Sequence, residues 1–422
     1  MLTVTLESPS PVLEEKEAAA PTRATAPGAR RMIVDERCAV AGYQLVPSAK
    51  AAKAAAGALA DASASASPGR STSLAKPTFV RCTCRELLNG QLDKLDPKNV
   101  VLEIRDDAAE GDAEGGGLDH TVLQAARSKG FKLAFDARLL RKEYAAFVPL
   151  ASFVILEMGV LALDRAAALA RGIQSGTKAV TLATQVRTAA EYQHLASAGV
   201  KLFEGSWFAQ PRAKPGKSNQ LAYASLIKLL NMVVREAEVA EIEELLKREP
   251  TLAYKLLRHI NSCGFGLNVE IVSFRHAVMT VGLKRLLRWT ALLMANTLPS
   301  SVAPAVGTLA IVRARLMELL ALETLSPPEA DLAFVTGMFS MLDNLLGLPM
   351  EDALALVSLP TSVTDAILRD DGPFARYLNI AKACESIDEG LLDILSERHR
   401  IPSDRIVATH LEALAWGEQF GQ

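Results

Sequence analysis

The sequence is short of cysteine and of long apolar runs. Five cysteines among 422 residues are an odd number in a large chain, which argues against a disulfide framework. No apolar run reaches the roughly 18 residues that a membrane-spanning helix needs. The first residues lack the basic start and apolar core of a secretory signal. We therefore expect a cytosolic protein with no membrane partner.

An excess of charge of either sign is also missing. The chain has 46 lysines and arginines against 48 aspartates and glutamates, for a net charge of -2. Such a balance gives no overall attraction to nucleic acid or to anionic membranes. Half of the residues are hydrophobic, which is enough for sizeable cores, and the length suggests two or three domains.

Histidines and cysteines are too scattered to suggest a metal centre. Cys82 and Cys84 are the only close cysteine pair, and alternate residues of a strand share a face. No further histidine or cysteine cluster stands nearby to complete a zinc site. We interpret the pair as two buried thiols and predict no cofactor.

Low-complexity segments divide the chain into two parts. An Ala/Ser-rich stretch interrupts the first part, and a basic Pro-Gly segment separates the first part from the second. The predicted organisation is a disordered tail at 1–30, a barrel at 31–211 with an insertion at 47–77, a linker at 212–220 and a helical domain at 221–422.

Short apolar runs alternate with helical patterns up to residue 211. The clearest unit is the run Ala179–Ala183, a helix with Thr188 as N-cap and Gly199 after its end, and a second strand, Val200–Phe203. Earlier, Met32–Val34 and residues 40–46 read as a hairpin. Six or seven strands alternating with helices indicate a parallel α/β barrel with an incomplete circuit.

Residues 178–211 resemble the last repeat of the EAL domain, a bacterial barrel that hydrolyses cyclic di-GMP, and the resemblance extends over about residues 32–211. In that family, carboxylates at the strand ends hold divalent metals. Two metal ions clamp the phosphodiester and lower the pKa of a bound water. The resemblance implies a TIM-like barrel whose site should contain those carboxylates.

Several of those carboxylates are replaced in this chain. Glu103, Asp136 and Glu157 remain as possible ligands, while Arg81 adds a cation that repels a divalent ion. Two unit charges about 4 Å apart interact by roughly 4 kcal/mol at an effective dielectric near 20. We therefore expect no metal site and no two-metal catalysis. The aligned positions, vestigial on this interpretation, are Gln44, Arg81, Glu103, Asp136, Ala137, Glu157, Thr184, Arg187 and Glu204.

Two roles are open for the arginines. Arg81 and Arg187 can contact the phosphates of a bound nucleotide bidentately. They can instead pair with the remaining carboxylates and neutralise the pocket. We favour the second interpretation, so nucleotide binding is not the expected outcome.

Only helical patterns follow residue 220. Residues 241–289 contain Glu249-Pro250, Asn261-Ser262 and the run from His276 to Gly282, and they resemble the HDOD family, which is related to HD phosphohydrolases. An EAL-like part followed by an HDOD part is a known bacterial arrangement. Ser340 and Met341 stand where the His-Asp pair of the hydrolases would be, and neither suits a hard metal site.

A group of basic residues is the remaining candidate site. It could bind an acidic partner or nucleic acid, but a solvated helix face is the simpler interpretation because no aromatic side chains are interleaved with it. The group consists of Arg258, Arg275, Lys284, Arg285 and Arg288.

The sequence thus predicts two hydrolase-like scaffolds with depleted sites. From this we expect a non-enzymatic bacterial signalling protein that acts through contact with other, unknown signalling proteins. The alternatives are a cyclic di-GMP phosphodiesterase and a cyclic di-GMP sensor that binds without hydrolysis.

Overall fold

The computed structural model describes residues 29–46, 74–88, 95–106, 117–210, 219–261, 273–386, 388 and 390–419. Nearly all of the predicted tail, most of the predicted insertion at 47–77 and most of the predicted linker at 212–220 lie outside the described residues. The domain limits given above stay a prediction for that reason.

The first half of the chain is a closed barrel of eight strands. The first two strands form the predicted hairpin, and β1 also pairs antiparallel with β8. The other neighbouring strands are parallel. The predicted α/β barrel is confirmed, but the expected incomplete circuit is wrong because the hairpin supplies the strands that close it. The strands are β1 (Ala29–Asp35), β2 (Val40–Val46), β3 (Thr78–Thr83), β4 (Val100–Arg105), β5 (Lys132–Asp136), β6 (Ala151–Glu157), β7 (Val180–Val186) and β8 (Leu202–Gly205).

Helices cover the outside of the barrel. The best predicted of them is α4, where Thr188 accepts from the backbone N–H of Glu191 in a capping box. Gly199, just after α4, has φ +93°, a conformation that glycine adopts easily. The helices are α1 (Cys84–Leu88), α2 (His120–Ser128), α3 (Leu163–Gly176) and α4 (Ala189–Ser197), with 3₁₀ segments at Ala137–Leu140, Lys142–Leu150 and Trp207–Ala209.

The barrel interior contains one buried apolar layer. One side chain comes from each of six strands, and all are 5% exposed or less. A second, larger cluster fills the space between the strands and the surrounding helices. The interior layer consists of Ile33, Phe79, Val101, Ala134, Ile155 and Leu182.

The described elements after residue 219 are helices. The helix α8 bends at Gly282, which has φ +77°. The helices are α5 (Gln220–Val234), α6 (Val239–Arg248), α7 (Pro250–Ile260), α8 (Phe274–Asn296), α9 (Pro304–Ala321), α10 (Pro327–Phe339), α11 (Leu342–Leu346), α12 (Met350–Ala355), α13 (Thr361–Leu368), α14 (Ala375–Glu385), α15 (Leu391–His399) and α16 (Ser403–Glu418). In the described part of the chain, no helix has both the length and the apolar character needed to cross a bilayer.

The helical half packs directly on the barrel hairpin. Helices α14 and α16 contact β1, and α9 contacts β2. The Tyr43 hydroxyl donates to Oε1 of Glu418 at 2.9 Å, and the other oxygen of Glu418 accepts from the N–H of Ala75 at 2.6 Å. Since Tyr43 and Glu418 are both buried, this hydrogen bond ties the two halves together in a region of low polarity.

His410 on α16 is buried at the same junction. Burial and, to a smaller extent, the nearby charge of Arg30 together lower its pKa to about 3. The imidazole is therefore neutral in the folded protein at physiological pH.

Replacing Gly337 with alanine should destabilise the helical half. A Cβ there would lie 2.6 Å from the Cα of Ala314, where α10 crosses α9. We expect a loss of about 1–3 kcal/mol in the free energy of unfolding, measured by urea denaturation. Gly172→Ala on α3 is the control, because its Cβ would meet nothing within 4 Å; that change should be neutral or stabilising by up to about 1 kcal/mol. Equal stabilities of the two variants would contradict the close crossing.

The stability of the protein should fall as the pH drops below 6.5. The pKa of His410 is lower in the folded state than the ordinary value of 6.5, so the unfolded state binds the proton first. The stabilisation is complete above pH 6.5 and is lost as the pH falls toward 3, by about 2 kcal/mol between pH 7 and pH 5. In urea denaturation, His410→Leu should lose less free energy of unfolding between pH 7 and pH 5 than the wild type. An equal loss in the two proteins would mean that other groups cause the pH dependence.

Candidate functional site

A polar layer follows the apolar layer inside the barrel. Alternate residues of a strand point to the same face, so on the five parallel strands of the apolar layer the residue two positions after each layer residue also faces the axis. These positions lie toward the carboxyl ends of the parallel strands, where barrels of this type place their sites. They are occupied by Arg81, Glu103, Asp136, Glu157 and Thr184.

Glu103 lies at the centre of this layer and is 4% exposed. Its Oε1 accepts from Nε of Arg81 at 2.8 Å, and its Oε2 accepts from Nε2 of Gln44 at 3.1 Å. Both carboxylate oxygens are therefore engaged. The Oε1 atom of Gln44 is buried and has no hydrogen-bond partner among the described residues.

Asp136 is held by the residues that follow it. Its Oδ1 accepts from the N–H of Arg138 at 2.7 Å, which caps the 3₁₀ segment that Ala137 begins. Its Oδ2 accepts from Nη2 of the same arginine at 2.6 Å. The arginine thus neutralises the aspartate locally, and the alanine leaves no second carboxylate beside it.

Gln185 links two further carboxylates, and the sequence analysis missed it. Its Nε2 donates to Glu157 at 2.7 Å, and its backbone N–H donates to Glu204 at 2.9 Å. The residue has φ +59°, at an irregularity in the pairing of β7 with β8. Glu204 also pairs with Arg31 at 3.2 Å, and both are buried. Nothing in the sequence pattern marks a left-handed residue within a strand, so only the structure reveals this link.

Arg187 lies away from the carboxylates of the barrel. Its backbone N–H donates to Glu191, and its side chain lines a cavity between the barrel and the helical half. Within the described residues, no hydrogen bond or ion pair joins its guanidinium to Glu103, Asp136 or Glu157. The two arginines singled out in the sequence are therefore not brought together.

The arrangement of the barrel residues does not fit a pair of divalent ions. Each of the carboxylates described above already accepts from an arginine or a glutamine. Over the ranges that the structure describes, no group of three or more His, Cys, Asp or Glu side chains could hold a metal ion. Cys82 and Cys84 are both buried, and burial raises the pKa of Cys82 well above its usual value, which keeps it a thiol.

Ser340 and Met341, the two residues that the sequence aligns with the His-Asp pair, are buried in the helical half, and Ser340 takes part in its hydrogen bonds. Ser340 Oγ accepts from Nη1 of Arg313 at 2.6 Å and donates to the carbonyl of Gly337. The same guanidinium pairs with Glu385 at 2.5 Å, and Met341 is buried. An arginine thus contacts Ser340, one of the two residues that the sequence aligns with the His-Asp pair.

The residues of the basic group differ in exposure and in their partners. Arg288 is 13% exposed, pairs with Glu318 and lies 4.1 Å from the ring centre of Phe334. Arg275 pairs with Glu243 at 2.8 Å, and Arg258 lies over the ring of Tyr254. Arg285 is exposed, and the side chain of Lys284 is outside the described residues. A role for this group in binding stays a prediction.

Comparison with known proteins identifies the helical half. Residues 222–346 match the HDOD domain family. The chain is 27% identical over 269 residues to the cyclic di-GMP phosphodiesterase CdgJ of Vibrio cholerae, covering 63% of this chain and 62% of that protein. It is 29% identical over 242 residues to the uncharacterized protein YuxH of Bacillus subtilis, covering 56% and 58%. The match thus covers less than two thirds of the length of each of these relatives. The matches confirm the predicted two-part EAL–HDOD resemblance.

Solved structures similar to this chain cover less of it. A calcium and cyclic di-GMP complex of Klebsiella pneumoniae BlrP1 is 17% identical with a TM-score of 0.34, covering 44% of this chain and 56% of that one. A cyclic di-GMP complex of the phosphodiesterase PaMucR is 16% identical with a TM-score of 0.35, covering 44% and 96%.

The relationship to CdgJ contradicts one expectation from the sequence. A relative named as a phosphodiesterase matches over more residues than either half contains, so the non-enzymatic, purely protein-binding role expected above is wrong. That expectation counted the carboxylates missing at positions 44, 137 and 184. It gave too little weight to those retained at the mouth of the barrel, namely Glu103, Asp136, Glu157 and Glu204.

Restoring the family residues should create a metal site. The variant Gln44→Glu, Arg81→Asn, Ala137→Asp adds two carboxylates and removes a cation, so we expect its Kd for Mn²⁺ to be at least about tenfold lower than that of the wild type. Calorimetry measures the binding. The control is Ala168→Asp, Arg171→Asn, Gln174→Glu, which makes the same charge change on the exposed face of α3. An equal gain in the control would mean that total charge, and not the barrel mouth, controls metal binding.

Proposed function

Because an HDOD domain follows a closed α/β barrel in this chain, we propose that the protein is a cyclic di-GMP phosphodiesterase. One observation carries the proposal: the chain is 27% identical to a protein named for that activity over a stretch that includes parts of both halves. The substrate would bind at the polar layer of the barrel.

The residues of the polar layer suit a phosphodiester. Arg81 and Arg138 bring positive charge to the carboxyl ends of β3 and β5, on either side of β4, where it can stabilise charge that develops on the phosphate. Glu103, Asp136 and Glu157 are the carboxylates that can accept a proton from an attacking water. Hydrolysis of one phosphodiester opens the cyclic dinucleotide to a linear one.

Substrate binding would displace a partner of Glu103. Each oxygen of Glu103 already accepts one hydrogen bond, so release of Arg81 or Gln44 would open the carboxylate to an attacking water. The side chain of Arg81 is 25% exposed and that of Glu103 is 5% exposed, so the arginine is the more accessible of the pair. A substrate phosphate is a charged acceptor that can replace the carboxylate on this guanidinium.

The other predictions from the sequence form part of the same proposal. We propose that the barrel extends over 31–211 and the helical domain over 221–422, and that the protein works in the cytosol. Arg187 is assigned no role in this reaction, because its side chain faces a different cavity.

Purified full-length protein should convert cyclic di-GMP to a linear dinucleotide. The reaction would be run in three conditions, with Mg²⁺, with Mn²⁺ and with EDTA, and the product would be measured by chromatography. We expect Glu103→Gln to lower kcat at least about 100-fold, because a base in the transition state is worth about 10²–10⁴-fold in rate. The control is Glu244→Gln, an exposed residue of the helical half that pairs with Lys247.

Two results would contradict this proposal. One is saturable binding of cyclic di-GMP with no product under any of the three conditions. The other is turnover that survives Glu103→Gln, Asp136→Asn and Glu157→Gln together, because the reaction would then not use the polar layer.

A further inference from the structure

A cavity of about 860 Å³ lies between the barrel and the helical half. From the barrel it is lined by Arg187, Ser206 and Gln210, which follow strands β7 and β8. From the helical half it is lined by Ser340 and Lys382, among others. Ligand pockets in proteins measure about 300–1,000 Å³, so this space suits an organic molecule better than a single small ion.

Two cations that line this cavity come from different halves. Neither the guanidinium of Arg187 nor the ammonium of Lys382 makes a hydrogen bond or an ion pair with any residue that the structure describes, although three carboxylates near Lys382 act on its charge. Arg187 comes from the loop after β7 and Lys382 from α14, so each half contributes one positive charge. Cations that line a shared cavity are well placed to contact an anion.

The other charged groups of the cavity wall have partners. Arg313 is 5% exposed and pairs with Glu385 through two hydrogen bonds, at 2.9 and 2.5 Å. Asp343 is buried and accepts from the side-chain amide of Asn344 at 3.1 Å. Asp388 is exposed and accepts only from the N–H of Gly390 among the bonds described. Of these carboxylates, Asp388 is the one positioned to oppose an anion.

Lys382 lies among charges of both signs. Desolvation lowers the pKa of its ammonium, and the charge of Arg313 lowers it further. The nearby carboxylates of Glu385, Asp370 and Asp343 raise it by less. A bound anion would raise this pKa as those carboxylates do.

We propose that this cavity binds an organic phosphate monoester, with its phosphate held between Arg187 of the barrel and Lys382 of the helical half. A phosphate monoester carries close to two negative charges at pH 7, which matches the two cations. The side chains of Met350, Ile367 and Leu391 line the rest of the wall and would contact the organic part. The site is separate from the polar layer of the barrel and does not depend on the proposed hydrolysis.

The test uses GMP as the probe and guanosine as the same molecule without the phosphate. Calorimetry on the full-length protein should show saturable binding of GMP, and guanosine should bind at least about tenfold more weakly. Arg187→Gln and Lys382→Gln should each weaken GMP binding by about tenfold or more, since each removes a charged hydrogen bond. The control Lys247→Gln, which removes an exposed lysine paired with Glu244, should leave it unchanged.

Two further variants, Asp388→Asn and Glu103→Gln, test the site. Asp388→Asn should strengthen GMP binding, because it removes the carboxylate that opposes the phosphate. Glu103→Gln should leave GMP binding intact, so a failure of the proposed hydrolysis is distinguishable from a failure of this site. Binding of guanosine as strong as that of GMP would overturn the inference. So would GMP binding that survives the double change Arg187→Gln, Lys382→Gln, and so would an absence of saturable GMP binding.

Discussion

A carboxylate buried inside a barrel needs a compensating charge or hydrogen bond beside it. Taking an ion out of water costs several kcal/mol, and only a close partner recovers that cost. Glu103 and Glu204 are almost fully buried, and each lies beside an arginine, Arg81 and Arg31. This requirement accounts for the arrangement of the whole polar layer, in which arginine and glutamine side chains hold the carboxylates.

The same requirement explains how an arginine can occupy a site that resembles a metal centre. A divalent ion and a guanidinium both offer positive charge to carboxylates, but the guanidinium stays attached to the chain and directs its donors in a fixed plane. Arg313 does this in the helical half, where it joins Ser340 to Glu385. Both halves of the chain therefore hold their acidic groups with covalently attached cations, and a phosphate can compete for those cations.

The sequence predicted the parts of the fold that depend on local patterns. The unit from β7 to β8 was predictable because Thr188 and Gly199 are standard signals for the start and end of a helix. The closed circuit was not predictable, since the pairing of β1 with β8 joins residues far apart in the chain. The candidate site residues on the strands came from the resemblance to the EAL family, and their role stays a prediction. Gln185 and Arg31 were missed, as their contacts arise from a left-handed residue and from the closure of the barrel.

The hydrogen bond between Tyr43 and Glu418 spans 375 positions of the chain. Translation proceeds from the N-terminus, so the hairpin leaves the ribosome long before its acceptor carboxylate has been made. The hydrogen bonds that the hydroxyl of Tyr43 and the N–H of Ala75 make to Glu418 therefore form only after residue 418 has been synthesised.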